Sequence, residues 1–277
     1  MCIEQVYSKN ATYQKFEVLK TNRNKRYRYF EFFVEGVRNI NEAVKNGWSF
    51  SSLLFTQDKP LSCWAKEMIT TIATDVNYQL PEGLMAELSG KVDTSELMAV
   101  VKMREDSFNR LPLPKNPLYV LFDRPSNKGN LGTIIRSCDA MGADGLILTG
   151  HAVDLYDPDV VVSTMGSFFH VPVIRIADNK NIFDWLAQMK EHYVSFQVVG
   201  TTAHKEKRIT DVDLTRPTLL MIGNETDGLC QAFKQSCDVL ATIPMSESTS
   251  ASSLNVACAA TVLFYEASRQ RGSRYQL

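Results

Sequence analysis

The 277 residues predict an α/β protein in two parts. Three observations carry that reading. From residue 118 onward, apolar runs alternate regularly with amphipathic stretches. Before residue 107 the patterns are short and mixed. Between them, in SFNRLPLPKNP (107–117), Pro112, Pro114 and Pro117 follow a charged stretch. Proline fixes φ and cannot donate to a ladder, so this segment reads as an extended linker. The boundaries that follow are a first domain at 1–108, a linker at 109–117 and a second domain at 118–277.

In the second part the strand candidates are LYVLFD (118–123), GLILTG (145–150), VPVIRI (171–176), FQVVGT (196–201), TLLMIG (218–223) and VLATIPM (239–245). Nearly continuous apolar runs are the mark of strands buried on both faces of a parallel sheet. Between them, Leu131, Ile134, Ile135, Cys138 and Met141 form one helical stripe, and Ile182, Trp185, Leu186 and Met189 another. Alternating β and α elements predict an open parallel sheet flanked by helices, with ligands at the carboxyl ends of its strands. In the first part, FFVEGVRNINEAVKNG (32–47) reads as a strand end and a helix, SSLLFT (51–56) as a strand, LSCWAKEMITTIA (61–73) as a helix and MAVVKM (98–103) as a strand. That is a small α/β domain.

Composition narrows the class. Apolar residues make up 44% and charged residues 22%, ordinary values for a chain that buries a core. A net charge of −1 excludes a basic tail protein and an acidic disordered chain. The sum is uneven: residues 1–28 carry +5, residues 1–116 carry +2 and residues 117–277 carry −3. A local nucleic-acid footprint is compatible with that distribution. The first residues lack the charged-then-apolar pattern of a secretory signal, and no apolar run approaches the roughly 20 residues that span a bilayer. Six scattered cysteines form no CxxC pair, and neither they nor the four histidines show metal-ligand spacing. The expectation is a cytoplasmic protein with free thiols, no metal and no membrane.

Three loops carry unusual chemistry. PSNKGNLGTIIRSCDAMG (125–142) joins a buried strand to a helix, with Gly129 and Gly132 permitting close backbone approach and free N–H groups facing an anion. It is neither a P-loop nor GxGxxG. Arg136 falls about one turn into that helix, either as a functional cation or simply on its solvent side. LLMIGNETDGLC (219–230) places Glu225 at a strand's carboxyl end, with Thr226 or Asp227 available as a helix cap. IPMSESTSASSLNVACAATVLFYEASRQR (243–271) runs from a polar loop into a helix apolar over too wide a face for a surface helix. There Ser252 or Ser253 reads as the cap and Asn255 as a residue one turn inside.

Together and in this order, the loops resemble the SpoU/TrmH branch of the SPOUT RNA methyltransferases. Asn130-Leu131-Gly132 with Arg136 is similar to the first motif of that family, Gly223-Asn224-Glu225 with Gly228 to the second, and Ile243-Pro244-Met245 with Ser253-Leu254-Asn255 to the third. Phe33-Val34-Glu35-Gly36 and the stretch 88–101 resemble the substrate-binding domain often fused to these enzymes, itself similar to small RNA-binding ribosomal proteins.

The resemblance implies a catalytic domain closed by a carboxyl-terminal trefoil knot, a homodimer with active sites at the subunit interface, and S-adenosylmethionine bound in the knot. It assigns cofactor contacts to Thr201, Gly223, Asn224, Ile243, Met245 and Leu254. It implies methyl transfer to a ribose 2′-hydroxyl of RNA, ribosomal RNA before transfer RNA, with Asn130, Arg136, Glu225, Ser253 and Asn255 as the catalytic set. Arg136 supplies positive charge to the developing oxyanion; a guanidinium is too weak an acid to serve as general base. RNA contacts are expected at Lys20, Arg23, Lys25 and Arg26 in the first domain and at Arg124 and Lys128 in the second.

Two departures stand out. Val162-Ser163-Thr164 occupies the place where relatives often carry Arg-Ala-Ser, and the loop between Met245 and Ser253 is longer than usual and lacks its glycine. The first departure keeps open an RNA-associated protein that binds the cofactor without transferring methyl groups. A nucleotide-binding enzyme of Rossmann type lacks its glycine-rich fingerprint here.

Overall fold

The structure, a computed structural model, describes residues 2–204 and 206–272. The chain divides into two compact units, Met1–Arg104 with Asp154–His170 and Glu105–Val153 with Val171–Leu277.

The first unit is built on a five-stranded sheet. Its elements run β1 (Ile3–Gln5), α1 (Ala11–Thr21), α2 (Arg23–Tyr29), β2 (Glu31–Glu35), α3 (Val37–Lys45), β3 (Phe50–Thr56), α4 (Cys63–Thr71), β4 (Asn77–Leu80), α5 (Glu82–Ser89) and β5 (Leu97–Lys102). The sheet order is β1-β4-β3-β5-β2, with β5 antiparallel to both its neighbours and the other pairs parallel. α1, α2 and α4 begin where polar side chains satisfy free N–H groups: Asn10 accepts from Tyr13, Asn22 from Lys25 and Ser62 from Ala65. The strands and helices read from 32–47, 51–56, 61–73 and 98–103 are present, whereas the basic stretch 1–28 carries two helices that charge alone did not reveal.

Two of the basic residues face inward. Arg26 is 2% exposed, with Nε donating to Asp154 Oδ2 at 2.8 Å and Nη1 donating to the Leu19 and Lys20 carbonyls at 2.8 Å. The Tyr27 hydroxyl donates to the other Asp154 oxygen at 2.6 Å. Lys20 Nζ donates to the Leu88 and Ser89 carbonyls at the end of α5, and burial lowers the ammonium pKa. Arg26, expected to contact RNA, is instead enclosed among internal oxygens, and Lys20, half-buried, is tied to the α5 carbonyls. Arg23 is exposed and lies over the Tyr27 ring, and Lys25 is partly exposed.

Segment 154–170, which the sequence reading assigned to the second domain, packs with this unit. Its reason is aromatic burial as well as the Arg26 ion pair. Phe32 has its ring 4.9 Å from that of Tyr156 and 5.6 Å from that of Phe168, and Trp48 Nε1 donates to the Phe169 carbonyl at 2.9 Å.

The second unit runs β6 (Leu118–Phe122), α6 (Lys128–Ala140) and β7 (Gly145–Thr149). The chain then enters the first unit with α7 (Pro158–Ser163) and α8 (Ser167–His170), and returns as β8 (Val173–Ile176), α9 (Asn179–His192), β9 (Gln197–Thr201), β10 (Lys207–Arg208), β11 (Thr218–Ile222), α10 (Gln231–Ser236), β12 (Val239–Thr242) and α11 (Val256–Gln270). The seven-stranded sheet has the order β10-β12-β9-β11-β6-β7-β8 and every pair is parallel. Thus β11 lies between β6 and β9, two strands that precede it in the chain.

On one face, Tyr119, Leu121, Ile147, Leu219 and Met221 bury against Ile182, Trp185, Leu186 and Met189 of α9. The predicted stripe of α6 is buried at Leu131, Ile134, Ile135 and Cys138. α6 packs beside α11, where the Ser137 and Thr261 hydroxyls lie 2.7 Å apart. The proline-rich segment is not a free extended linker: it opens with a 3-10 turn at Phe108–Arg110 and is docked on this unit, with Leu111 4% exposed and the Tyr119 and Tyr193 hydroxyls donating to the Pro112 and Pro114 carbonyls. All six cysteines are free thiols. Among the described residues, no helix is long and apolar enough to cross a membrane.

Removing one partner of a buried ion pair strands the other charge, which costs about 3–5 kcal/mol. Arg26→Ala is expected to lower the urea unfolding free energy by about that amount, with most of it recovered in Arg26→Met/Asp154→Leu. A loss comparable to that of an exposed lysine would contradict the internal role.

Candidate active site

The carboxyl ends of β9, β11 and β12 open onto a cavity of about 230 Å³. Thr201, Gly223, Asn224, Ile243, Met245 and Leu254 all line it, so the six expected cofactor contacts come together in one place. Glu225 and Ser253 also line it. Sequence reading missed the apolar floor formed by Ile222, Ala241, Val256, Ala259 and Leu263. The signal was present in the over-wide apolar face of the last helix, part of which faces the cavity. An apolar floor beneath hydroxyl, amide and carboxylate groups suits a ligand that joins a flat base to a polar tail.

The wall between β11 and α10 is made by a very close backbone approach. A Cβ on Gly223 would stand 2.2 Å from the Gly228 carbonyl carbon and from the Leu229 nitrogen, so no side chain fits there. Asn224 and Gly228 exchange N–H···O bonds of 3.1 Å in both directions, and Gly228 has φ +69°. The Asn224 side chain closes the turn by accepting from Thr226 N at 2.8 Å and Asp227 N at 3.3 Å. Thr226 and Asp227 do not cap a helix, because α10 starts only at Gln231 with Cys230 as its cap.

Glu225 points from this loop to the start of α6. Its carboxylate accepts from Ser126 Oγ at 2.7 Å, Ser126 N at 3.2 Å, Asn127 N at 3.3 Å and Asn130 Nδ2 at 3.2 Å. Asn130 Oδ1 in turn accepts from Asn255 Nδ2 at 3.2 Å. Asn255 is the cap of α11, not a residue inside it: its Oδ1 accepts from Ala257 N at 2.9 Å and Cys258 N at 3.3 Å. Three members of the expected catalytic set therefore form one hydrogen-bonded chain from three distant loops. Burial alone would raise the Glu225 carboxyl, but the bonds from Ser126, the Glu225 N–H and Asn130 together hold it below the usual glutamate range.

Arg136 stands apart. α6 begins at Lys128, so Arg136 lies more than two turns in, exposed, and outside the cavity lining. Among the described residues its guanidinium has no hydrogen bond or ion pair. Lys128 is exposed at the first position of α6. Arg124 does not project freely to solvent as a phosphate contact: Nε and Nη2 fork onto Asp123 at 3.1 and 3.0 Å, and Nη2 also donates to the Gly228 carbonyl at 3.1 Å.

Gly223→Ala forces backbone against backbone, and is expected to abolish ligand binding in the cavity while leaving the far-ultraviolet circular dichroism intact; unaltered S-adenosylmethionine binding would contradict the close approach. For Glu225 the lowered folded pKa gives stabilisation that is complete above the ordinary carboxylate range and lost as pH falls through the folded value. The urea midpoints of wild type and Glu225→Gln should therefore differ at neutral pH and converge as the pH falls below the ordinary carboxylate range.

Comparison with known proteins gives these sites a context. The chain is 46% identical over 268 residues to the 23S rRNA (uridine(2479)-2′-O)-methyltransferase of Streptomyces viridochromogenes, covering 96% of this chain and 92% of that protein. It superposes on the crystal structure of the SpoU methyltransferase AviRb from Streptomyces viridochromogenes in complex with AdoMet with a TM-score of 0.85, at 44% identity over 95% of this chain and 99% of that one. The AdoMet-bound rRNA methyltransferase from Sinorhizobium meliloti gives a TM-score of 0.82 at 27% identity, covering 96% and 98% of the two chains. The pattern of the SpoU L30e-like domain matches residues 10–99, within the first unit. That of the SpoU rRNA Methylase family matches residues 117–265 and spans all three loops that build the cavity and its polar chain; this protein belongs to that family.

Proposed function

We propose that this protein transfers a methyl group from S-adenosylmethionine to a ribose 2′-hydroxyl of ribosomal RNA, in the cytoplasm. The observation that carries the proposal is the single cavity lined by all six cofactor residues together with Glu225 and Ser253, beside the Asn130–Glu225–Asn255 chain. The names of its relatives favour ribosomal over transfer RNA. S-adenosylmethionine supplies an electrophilic methyl on a sulfonium centre. The cavity's apolar floor suits an adenine, and its Thr201 and Ser253 hydroxyls suit the ribose and amino-acid parts.

A ribose hydroxyl is a weak nucleophile, and orientation supplies much of what it lacks; well-placed intramolecular reactions gain roughly 7–11 kcal/mol. Asn255, held in place by Asn130, offers its second amide N–H to a ribose, while Glu225 fixes Asn130 and the start of α6. Arg136 is the cation for the developing oxyanion and for a neighbouring phosphate. It lies outside its own chain's cavity, which supports a homodimer in which Arg136 of one copy reaches the site of the other. Beside α6, α11 exposes Cys258, Val262, Tyr265 and Arg269, a stripe at the spacing of a helix–helix seam. Insertion of β11 between β6 and β9, with α11 returning to pack on α6, is what a carboxyl-terminal trefoil knot requires of its sheet.

In this reading the first unit captures RNA. Of its expected contacts, Arg23 and Lys25 remain on its surface, with Lys128 on the second unit.

Tritiated S-adenosylmethionine incubated with ribosomal RNA is expected to label it; label confined to transfer RNA would replace the substrate, and no label in any RNA while the cofactor binds would leave an RNA-associated cofactor-binding protein. Arg136→Ala should cut transfer by about 10²–10³-fold with cofactor affinity nearly unchanged. Unchanged turnover would remove Arg136 from the mechanism.

A further inference from the structure

We infer that Arg124 is a positioning residue that shapes the cofactor loop, and that it does not act as an RNA contact. The inference rests on the reading of the cavity as the S-adenosylmethionine site. Arg124 has φ +51°, a left-handed conformation uncommon for a residue with a Cβ, and such backbone persists only where its surroundings over-determine it.

The surroundings do so here. Immediately after β6, Asp123 is 1% exposed, and its two carboxylate oxygens are filled by the Arg124 fork, by Thr149 Oγ1 at 2.7 Å and by Cys230 N at 2.9 Å. Thr149 Oγ1 also accepts from Arg124 N at 3.3 Å. The following residue, Gly150, makes room for the arginine stem: a Cβ there would lie 2.7 Å from Arg124 Cγ.

From this anchorage Asp123 and Arg124 hold the loop after β11 at three points. The Arg124 carbonyl accepts from Asn224 Nδ2 at 2.7 Å, the guanidinium donates to the Gly228 carbonyl at 3.1 Å, and Asp123 takes the Cys230 N–H. Asn224 and Gly228 are cavity wall, and the Asn224–Gly228 pair sets the separation that leaves Gly223 without room for a Cβ. The guanidinium therefore acts through the loop. Its charge is balanced by a carboxylate 3.0 Å away, which leaves little field for a phosphate.

Geometry makes arginine and lysine unequal at this position. A planar fork serves Asp123 with two parallel donors and still directs one N–H at Gly228, whereas an ammonium is a point charge with no such fork. A phosphate contact, by contrast, tolerates lysine.

The experiment compares wild type, Arg124→Lys and Arg124→Gln in the full-length protein. Dissociation constants for labelled S-adenosylmethionine come from equilibrium dialysis, affinity for total ribosomal RNA is measured across a salt series, and melting temperatures verify folding. Both variants are expected to bind S-adenosylmethionine tenfold or more weakly, the lysine variant no better than the glutamine one. The KM for the cofactor should rise by that factor with kcat changed less, and RNA affinity and its salt slope should stay at wild-type values. Cofactor affinity within threefold of wild type in Arg124→Lys would overturn the inference. So would a salt slope reduced by about one charge with cofactor binding intact, the mark of a lost phosphate contact. If the glutamine variant does not fold, the lysine variant, which keeps stem and charge, decides alone. A wild type that binds no S-adenosylmethionine would remove the proposed function itself, a result distinct from either.

Discussion

Backbone meets backbone at Gly223, and the second unit is arranged around that meeting. β11 is hydrogen-bonded to β9 on one side as far as Met221 and to β6 on the other as far as Ile222, so its direction is fixed up to its last residue. The chain leaving it must turn at once, against its own residues Gly228 and Leu229. The turn is held by its polar contacts: Asn224 bonds Gly228, Thr226, Asp227 and the Arg124 carbonyl, and Glu225 bonds the start of α6. Partly buried backbone at a strand end is tolerable where such partners are supplied. The cavity is what remains when this turn, the end of β12 and the start of α11 are each held in place.

Much of this was legible from residue types. Six apolar runs became six strands because a strand covered on both faces has no polar positions to disguise it. The cavity residues were legible only through the family resemblance of three motifs taken in order, since each loop alone reads equally well as a strand end followed by a helix cap. The errors were of register within those motifs. Asn255 caps α11, and the run of serines before it concealed which polar residue does so, because serine and asparagine are equally good caps. Arg124 looked like a free cation because its partner, Asp123, is its immediate neighbour, and adjacent opposite charges carry no signal in a sequence.

The first unit was less legible, and charge was the reason. A surplus of +5 in residues 1–28 reads as a surface, yet Arg26 and Lys20 spend none of their charge there. Their acceptors are Asp154, 128 positions away, and the last carbonyls of α5, 68 and 69 positions away. Contacts that distant leave no local pattern. The same holds for the aromatic packing of Phe32 and Trp48 against Phe168 and Phe169, which draws residues 154–170 out of the unit on either side of them in the chain.

That excursion bears on how such a protein can be divided. The polypeptide passes between its two units three times, after Arg104, after Val153 and after His170. Neither unit is a contiguous stretch of sequence. A chain cut near the proline-rich segment would carry Tyr156, Phe168 and Phe169 away from the aromatic rings that bury them, and would leave Arg26 without Asp154. The amino-terminal unit is thus not a detachable module joined by a tether. A gene fusion that exchanged it for another domain would also have to supply new partners for the insertion between β7 and β8.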